Sequence, residues 1–254
     1  MSVIDAIILG IVEGLTEFLP ISSTGHLIIA SKLLGIPQTN FTKSFEIIIQ
    51  LGAILSVVFL YFNRLKRDFE LWKRIIFAFI PTGIVGFLLY KIIKTYLFNP
   101  HIVVYSLFIG GVLIIIIENY FKKHPPKQKI NNMSYIKAAI VGLIQSLAVI
   151  PGTSRSASSI IGGMFVGLSR KEAVEFSFLL AIPTMFAATG YDILKSGLYI
   201  NAHQWHLIAI GFIVSFFSAI LAVKTFISFI SRFTLVGFGV YRILASIVFK
   251  ILGM

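Results

Sequence analysis

The chain has no cysteine among its 254 residues, which excludes disulfides, thiolate metal sites and thiol nucleophiles. Acidic residues are scarce, ten Asp and Glu against 22 Lys and Arg, and charged residues of both signs reach only 13%. A soluble globular domain carries about twice that share. Apolar residues fill the place of the missing charge: 57% of the chain is hydrophobic, 24 residues are Phe, and the mean hydropathy is +0.93. The composition therefore predicts an all-α polytopic membrane protein forming one integral membrane domain over residues 1–254. A basic n-region is also lacking, and Glu13 interrupts the run where a signal peptide would have its apolar core, so the N-terminal segment is expected to stay in the mature protein.

The net charge of +12 does not imply a nucleic-acid partner, because the basic residues lie mainly in short segments between apolar runs. That arrangement is the positive-inside pattern of a membrane protein, and no nucleic acid is expected to bind. Full spans are predicted at residues 45–62, 75–96, 101–120, 173–194, 206–230 and 235–252. A tight turn is read at Asn99–Pro100 and an outer loop at 195–205. The basic loops 63–74 (NRLKRDFELWKR) and 121–132 (FKKHPPKQKINN) are separated by two spans and so fall on the same, cytoplasmic face, with both termini outside.

Two further apolar regions are broken in the middle. Residues 2–35 are split by Pro20 and Ser22, Ser23 and Thr24; residues 135–168 are split by Pro151 and the cluster Thr153, Ser154, Ser156, Ser158 and Ser159. Each half is only about four turns long, too short to cross a core that needs roughly 20 helical residues, so both regions read as re-entrant helical hairpins. Broken backbone at that depth survives only where protein or a wet cavity buries it. Gly10-Ile-Val-Glu-Gly-Leu matches Gly142-Leu-Ile-Gln-Ser-Leu, and Pro20-Ile-Ser-Ser-Thr-Gly matches Pro151-Gly-Thr-Ser-Arg-Ser after a one-residue gap. The chain thus reads as an inverted-topology repeat, about 1–132 and 133–254, each half one hairpin plus three transmembrane helices, with the hairpin tips meeting near the midplane.

The polar residues at those tips carry the chemistry. An ionisable group in hydrocarbon costs roughly 2.5–3.5 kcal/mol on insertion scales, which marks Glu13, Glu17, His26 and Arg155 as functional candidates. Glu13 and Glu17, four apart, share a helix face. They suit a polar stripe along a wet crevice, a proton-relay pair, or a hard divalent cation, Mg²⁺ or Ca²⁺, that bridges protein to phosphate. Ser22, Ser23 and Thr24 include the N-cap of the returning half-helix, whose free N–H groups make an anion site. His26 is the only one of five histidines inside an apolar segment, and its place near Ser23 suits an acid, base or nucleophile. Arg155 suits bidentate phosphate recognition or simple neutralisation of the glutamates. Together they describe phosphoryl chemistry on an amphiphilic substrate, or else a secondary transporter or lipid flippase with a midplane anion and proton site. Gly162, Gly163 and Gly167 permit close helix packing within or between chains, which makes a homodimer an expectation.

EGLTEFLPISSTGH (Glu13 to His26) and PGTSRS (Pro151 to Ser156) resemble the two signature motifs of the undecaprenyl-diphosphatases of the bacitracin-resistance type. The resemblance covers nearly the whole chain. It implies a multi-pass enzyme of the bacterial cell membrane that hydrolyses the polyprenyl diphosphate carrier of cell-wall synthesis at a site opening to the outer face. It further implies Glu13 and Glu17 as the acidic pair, Ser23 and His26 as catalytic residues, and Ser154 and Arg155 in diphosphate binding; the residues themselves add Glu17 and Arg155 to the catalytic set, Glu13 and Glu17 as metal ligands, and Ser22, Thr24, Ser156 and Ser159 to the substrate-binding set. Ala157 and Ser159 depart from the family's usual Gly and Thr.

Overall fold

The structure is a computed structural model that describes residues 1–92, 100–196, 200, 201 and 204–253. The expected Asn99–Pro100 turn, the end of the second expected span and residues 197–199, 202 and 203 of the 195–205 loop lie outside the described residues. Among those residues the chain is helical, with no strand beyond a single isolated bridge between Gln128 and Leu168. Eleven α-helices follow in order: α1 Val3–Thr16, α2 Ser23–Leu33, α3 Asn40–Leu60, α4 Phe62–Arg67, α5 Phe69–Ile92, α6 Pro100–Lys123, α7 Tyr135–Gln145, α8 Arg155–Phe165, α9 Arg170–Ser196, α10 Trp205–Ile230 and α11 Val236–Ile251.

Polar caps explain where these helices start. The Ser2 side chain accepts from the Asp5 N–H while Asp5 answers the Ser2 N–H, Thr39 caps α3, and Ser134 caps α7. Asp68 accepts from the Leu71 N–H at 2.8 Å, so α5 begins inside the basic segment that reads as a loop in sequence, and α4 fills the rest of it. Among the described residues five helices are long and apolar enough to cross a membrane: Asn40–Leu60, Phe69–Leu89, His101–Lys123, Arg170–Lys195 and Trp205–Ile230. The sixth expected span, 235–252, is a 16-residue helix, short of the roughly 20 residues a full crossing needs.

α1 and α2 form one hairpin and α7 and α8 another, and the long helices pack around them in matched pairs. α1 lies on α10 and α7 on α5; α3 lies on α10 and α9 on α5; α6 pairs with α11. The hairpins open towards different ends of the molecule. At the end where α2 finishes, Lys32 Nζ donates to the Leu252 carbonyl at the end of α11. At the end where α8 finishes, the Ser169 N–H donates to Gln128 O, Arg170 pairs with Glu118 at 2.6 Å, and Arg64 pairs with Glu175 at 3.1 Å.

Close helix contacts depend on small residues. A Cβ at Gly10 would stand 2.7 Å from Gly211 O on α10, and one at Gly142 would stand 1.7 Å from Ala78 O on α5. Gly142→Ala is therefore expected to lower the melting temperature in detergent, since overpacking costs about 1–3 kcal/mol. Gly86→Ala in α5, where a Cβ meets nothing within 4 Å, is expected to hold or raise it. Equal melting temperatures for the two variants would contradict the packing described. Gly162 and Gly163 face Ile144 and Ala173, and Gly167 turns at φ +105 beside Gln128, so these glycines already serve contacts within the chain.

Candidate functional site

The two broken segments end at one another. Between α1 and α2 the chain turns through residues 17–22; between α7 and α8 it passes a 3₁₀ turn, Ser146–Val149, and residues 150–154. Ser22 (φ 71) and Ser154 (φ 75) are the two non-glycine residues with positive φ among those described, and each precedes the first residue of its returning helix. Such backbone costs on the order of 1–3 kcal/mol and persists only where its surroundings hold it. Counting from these caps, Ser22 stands opposite Ser154 and Ser23 opposite Arg155, one residue off the register that the prolines suggest. Gly152, at φ +91 and with Val103 O only 2.6 Å from where a Cβ would sit, absorbs the extra residue.

Hydrogen bonds join the tips directly. Arg155 Nη2 lies 3.2 Å from Glu17 Oε1, and Ser23 donates from Oγ to Glu17 Oε2 at 2.7 Å. Glu17 thus accepts from its own hairpin and from the opposite one through different oxygens. Arg155 Nη1 donates to Ser177 O on α9 at 3.0 Å, and its guanidinium stands over the Phe18 ring at 5.9 Å. Ser156 donates from Oγ to Phe18 O at 2.7 Å. Glu17 and Arg155 are both more than nine-tenths buried, where charge-assisted bonds are strong and an unpaired charge is costly.

His26 sits differently from its sequence neighbourhood. Its Nδ1 lies 2.8 Å from Ser22 O, which can only accept, so Nδ1 carries the proton. Nε2 then accepts from the Tyr241 hydroxyl on α11 at 2.6 Å, with the Phe249 ring edge-on at 5.9 Å. His26 therefore bonds to neither Ser23 nor Arg155. Helical side chains lean towards the N-terminus, which carries His26 back to the Ser22 carbonyl and Ser23 across the turn to Glu17.

Several of the expected hydroxyls are committed within the protein. Ser159 Oγ lies 2.7 Å from Ser177 Oγ and 2.9 Å from Arg155 O, Ser158 donates to Ser154 O, and Ser156 is held by Phe18 O. Ser154 caps α8 by accepting from the Ala157 N–H at 3.2 Å, which leaves its own proton for a ligand. Ser22 stands at the cap position without a side-chain cap bond, and Thr24 is half-buried on the first turn of α2.

Glu13 is fully buried on α1, and neither of its carboxylate oxygens has a hydrogen-bond partner among the described residues. Two carboxyl oxygens left without a donor beside Glu17 are the kind of ligand a hard cation takes. No group of three or more His, Cys, Asp or Glu that would hold a metal alone occurs among the described residues. The acidic pair fits a cation that takes its remaining oxygens from a substrate.

Two residues that the motifs do not contain belong to the same region. Arg242 on α11 is fully buried; Nη1 donates to Pro20 O (3.2 Å) and Thr153 O (2.9 Å), Nη2 to Gly152 O and Ser106 O (both 3.0 Å), and Nε to Leu107 O (3.3 Å). One guanidinium thereby ties both hairpin turns to α6, and Gly110 leaves the room for it. Glu46 on α3 accepts from Ser31 Oγ at 3.1 Å, tying α3 to the first hairpin's returning helix. Each stands as an ionisable residue in an apolar run, the same signal that marks His26 and Arg155.

A multi-pass helical membrane protein whose broken hairpins carry a buried carboxylate, serine and guanidinium at their meeting point is the class that this fold and site define. The family model described as "Bacitracin resistance protein BacA" matches residues 6–248, and the chain belongs to that family. It is 58% identical over 246 residues to an undecaprenyl-diphosphatase of Aquifex aeolicus, covering 96% of each chain. It is 56% identical over 250 residues to those of Persephonella marina and a Sulfurihydrogenibium species, covering 98% of each.

Proposed function

We infer that the chain hydrolyses undecaprenyl diphosphate to undecaprenyl phosphate and inorganic phosphate, returning a lipid carrier to cell-wall synthesis in the bacterial cell membrane. The observation that carries this reading is Glu17, bonded at once to the Ser23 hydroxyl and to the Arg155 guanidinium of the opposite hairpin. A hydroxyl aimed at a carboxylate beside a fixed cation is an activated nucleophile next to an anion subsite.

In the mechanism, Arg155 and the N-terminal N–H groups of α2 and α8 hold the diphosphate's non-bridging oxygens, with the Ser154 hydroxyl as a further donor. Ser23 Oγ attacks the terminal phosphorus, its proton passes to Glu17, and the bond to the bridging oxygen breaks, releasing the lipid monophosphate. Water then attacks the phosphoserine phosphorus and gives a proton to His26 Nε2, the bond from phosphorus to Ser23 Oγ breaks as Glu17 returns its proton to Oγ, and phosphate leaves. A divalent cation, Mg²⁺ or Ca²⁺, held by Glu13 with Glu17 would neutralise charge on the diphosphate oxygens.

The paired packing of α1 on α10 and α7 on α5, the matched serines at positive φ and the hairpins' different openings support an inverted repeat, halves about 1–132 and 133–254. Basic residues gathered at the end of α8 and the start of α9 support a cytoplasmic position for that end, with the first hairpin and the site's entrance facing outwards. Purified protein in detergent with a polyprenyl diphosphate and Mg²⁺ or Ca²⁺ is expected to release phosphate, and His26→Ala to lose at least about a hundredfold in kcat. Translocation of the lipid without phosphate release would replace the enzyme with a flippase.

A further inference from the structure

A cavity of about 640 Å³ lies between α5 and α9 at and beyond their prolines, Pro81 and Pro183, with the 3₁₀ turn Ser146–Val149 along one side. Its walls are apolar: Phe79, Ile84 and Phe87 from α5, and Met185 and Ala188 from α9. Ile84 and Phe87 are more than half exposed, so in a membrane the cavity opens sideways into hydrocarbon. Phe87 and Tyr191 meet edge to face at 5.7 Å across its rim.

Its polar lining is concentrated at one place. Arg155 lines the cavity while its Nη2 is bonded to Glu17, and Arg155 Nε has no partner among the described residues. Beside it Gln145, fully buried, donates from Nε2 to Thr82 Oγ1 and Thr184 Oγ1 (both 3.1 Å) and leaves Oε1 without a partner. Gln145 occupies in the second hairpin the place that Glu13 occupies in the first, so this chamber is the apolar, uncharged counterpart of the acidic one. An aqueous anion needs no such walls, and a hydrocarbon tail alone needs no guanidinium.

We propose that this cavity holds the isoprene units nearest the diphosphate of the lipid substrate, while the diphosphate itself lies on the Glu17 side of Arg155. The proposal rests on the hydrolase reading and adds to it where the tail runs and what limits recognition. The volume is of small-molecule size and far short of a long polyprenyl chain, so only the first units are read and the remainder lies in the bilayer.

Gly86→Trp and Ala188→Phe fill the cavity from opposite walls; at Gly86 a new Cβ meets nothing within 4 Å. With polyprenyl diphosphate, each is expected to raise KM at least tenfold, whereas kcat/KM for methyl diphosphate, which has the anion but no isoprene unit, stays within twofold of the unsubstituted protein. Wild-type KM for the long lipid in both variants would overturn the proposal. If the unsubstituted protein releases phosphate from neither substrate, the hydrolase reading fails instead, and location is then read without turnover. For that, a polyprenyl diphosphate bearing a diazirine on its first isoprene units is expected to label α5 and α9 peptides. Labelling of other helices alone, or evenly over all lipid-facing helices, would overturn the proposal, and the same labelling decides it should the filled variants fail to fold.

Discussion

Arg242→Met is expected to destabilise the protein more than any substitution in the two motifs. The side chain is fully buried and its donors reach five carbonyls, two on the turn of the second hairpin, one on the turn of the first and two on α6. Methionine fills similar space but leaves those acceptors dry and unpaired, and breaking a buried charged network costs about 3–5 kcal/mol. A lower melting temperature in detergent should accompany loss of phosphate release, because the hairpin tips lose their common anchor. Arg242→Lys keeps the charge but has three donors instead of five and is expected to fall between the two. A Met variant that melts and turns over like the unsubstituted protein would show that the tips are held by something else.

Glu17→Gln is expected to reduce kcat by about 10²–10⁴, the range for loss of a positioned proton acceptor, and also to lower the melting temperature, because the buried Arg155 charge loses its partner. The carboxylate now accepts from Ser23 with one oxygen and from Arg155 with the other. A carboxamide offers one accepting oxygen and turns an NH₂ towards the second donor, so one of the two bonds must fail. The measurement is phosphate release from a polyprenyl diphosphate at saturating substrate. Full activity in this variant would remove Glu17 from the chemistry and return Ser23's proton to His26 or to water.

Much of this arrangement is legible in the chain because polar residues stand out against hydrocarbon. Pro20 and Pro151, each followed by hydroxyls in an apolar region too short per half to cross, mark both hairpins, and the helices break where those residues lie. Which side chain meets which is less legible. Spacing joins Ser23 to His26, yet the first turn of α2 sends Ser23 back to Glu17 and His26 to the Ser22 carbonyl. The register of the two tips shifts by one residue because Gly152 adopts a conformation that no alignment of residue types records. Arg242 is visible as a lone charge near the end of the chain, but its acceptors lie 89 to 222 residues away and are backbone carbonyls, which any residue supplies. The basic segment 63–74 reads as a loop because its charges mask the Asp68 cap that starts α5 within it.

The account depends on the two hairpin tips acting as one site. A double-mutant cycle on kcat/KM for phosphate release, with Glu17→Gln from the first tip and Arg155→Ala from the second, tests that most directly. Groups that act as a unit are non-additive, so the double variant is expected to be little worse than the poorer single variant. Losses that multiply in full, as for independent residues, would contradict a single site shared between the tips.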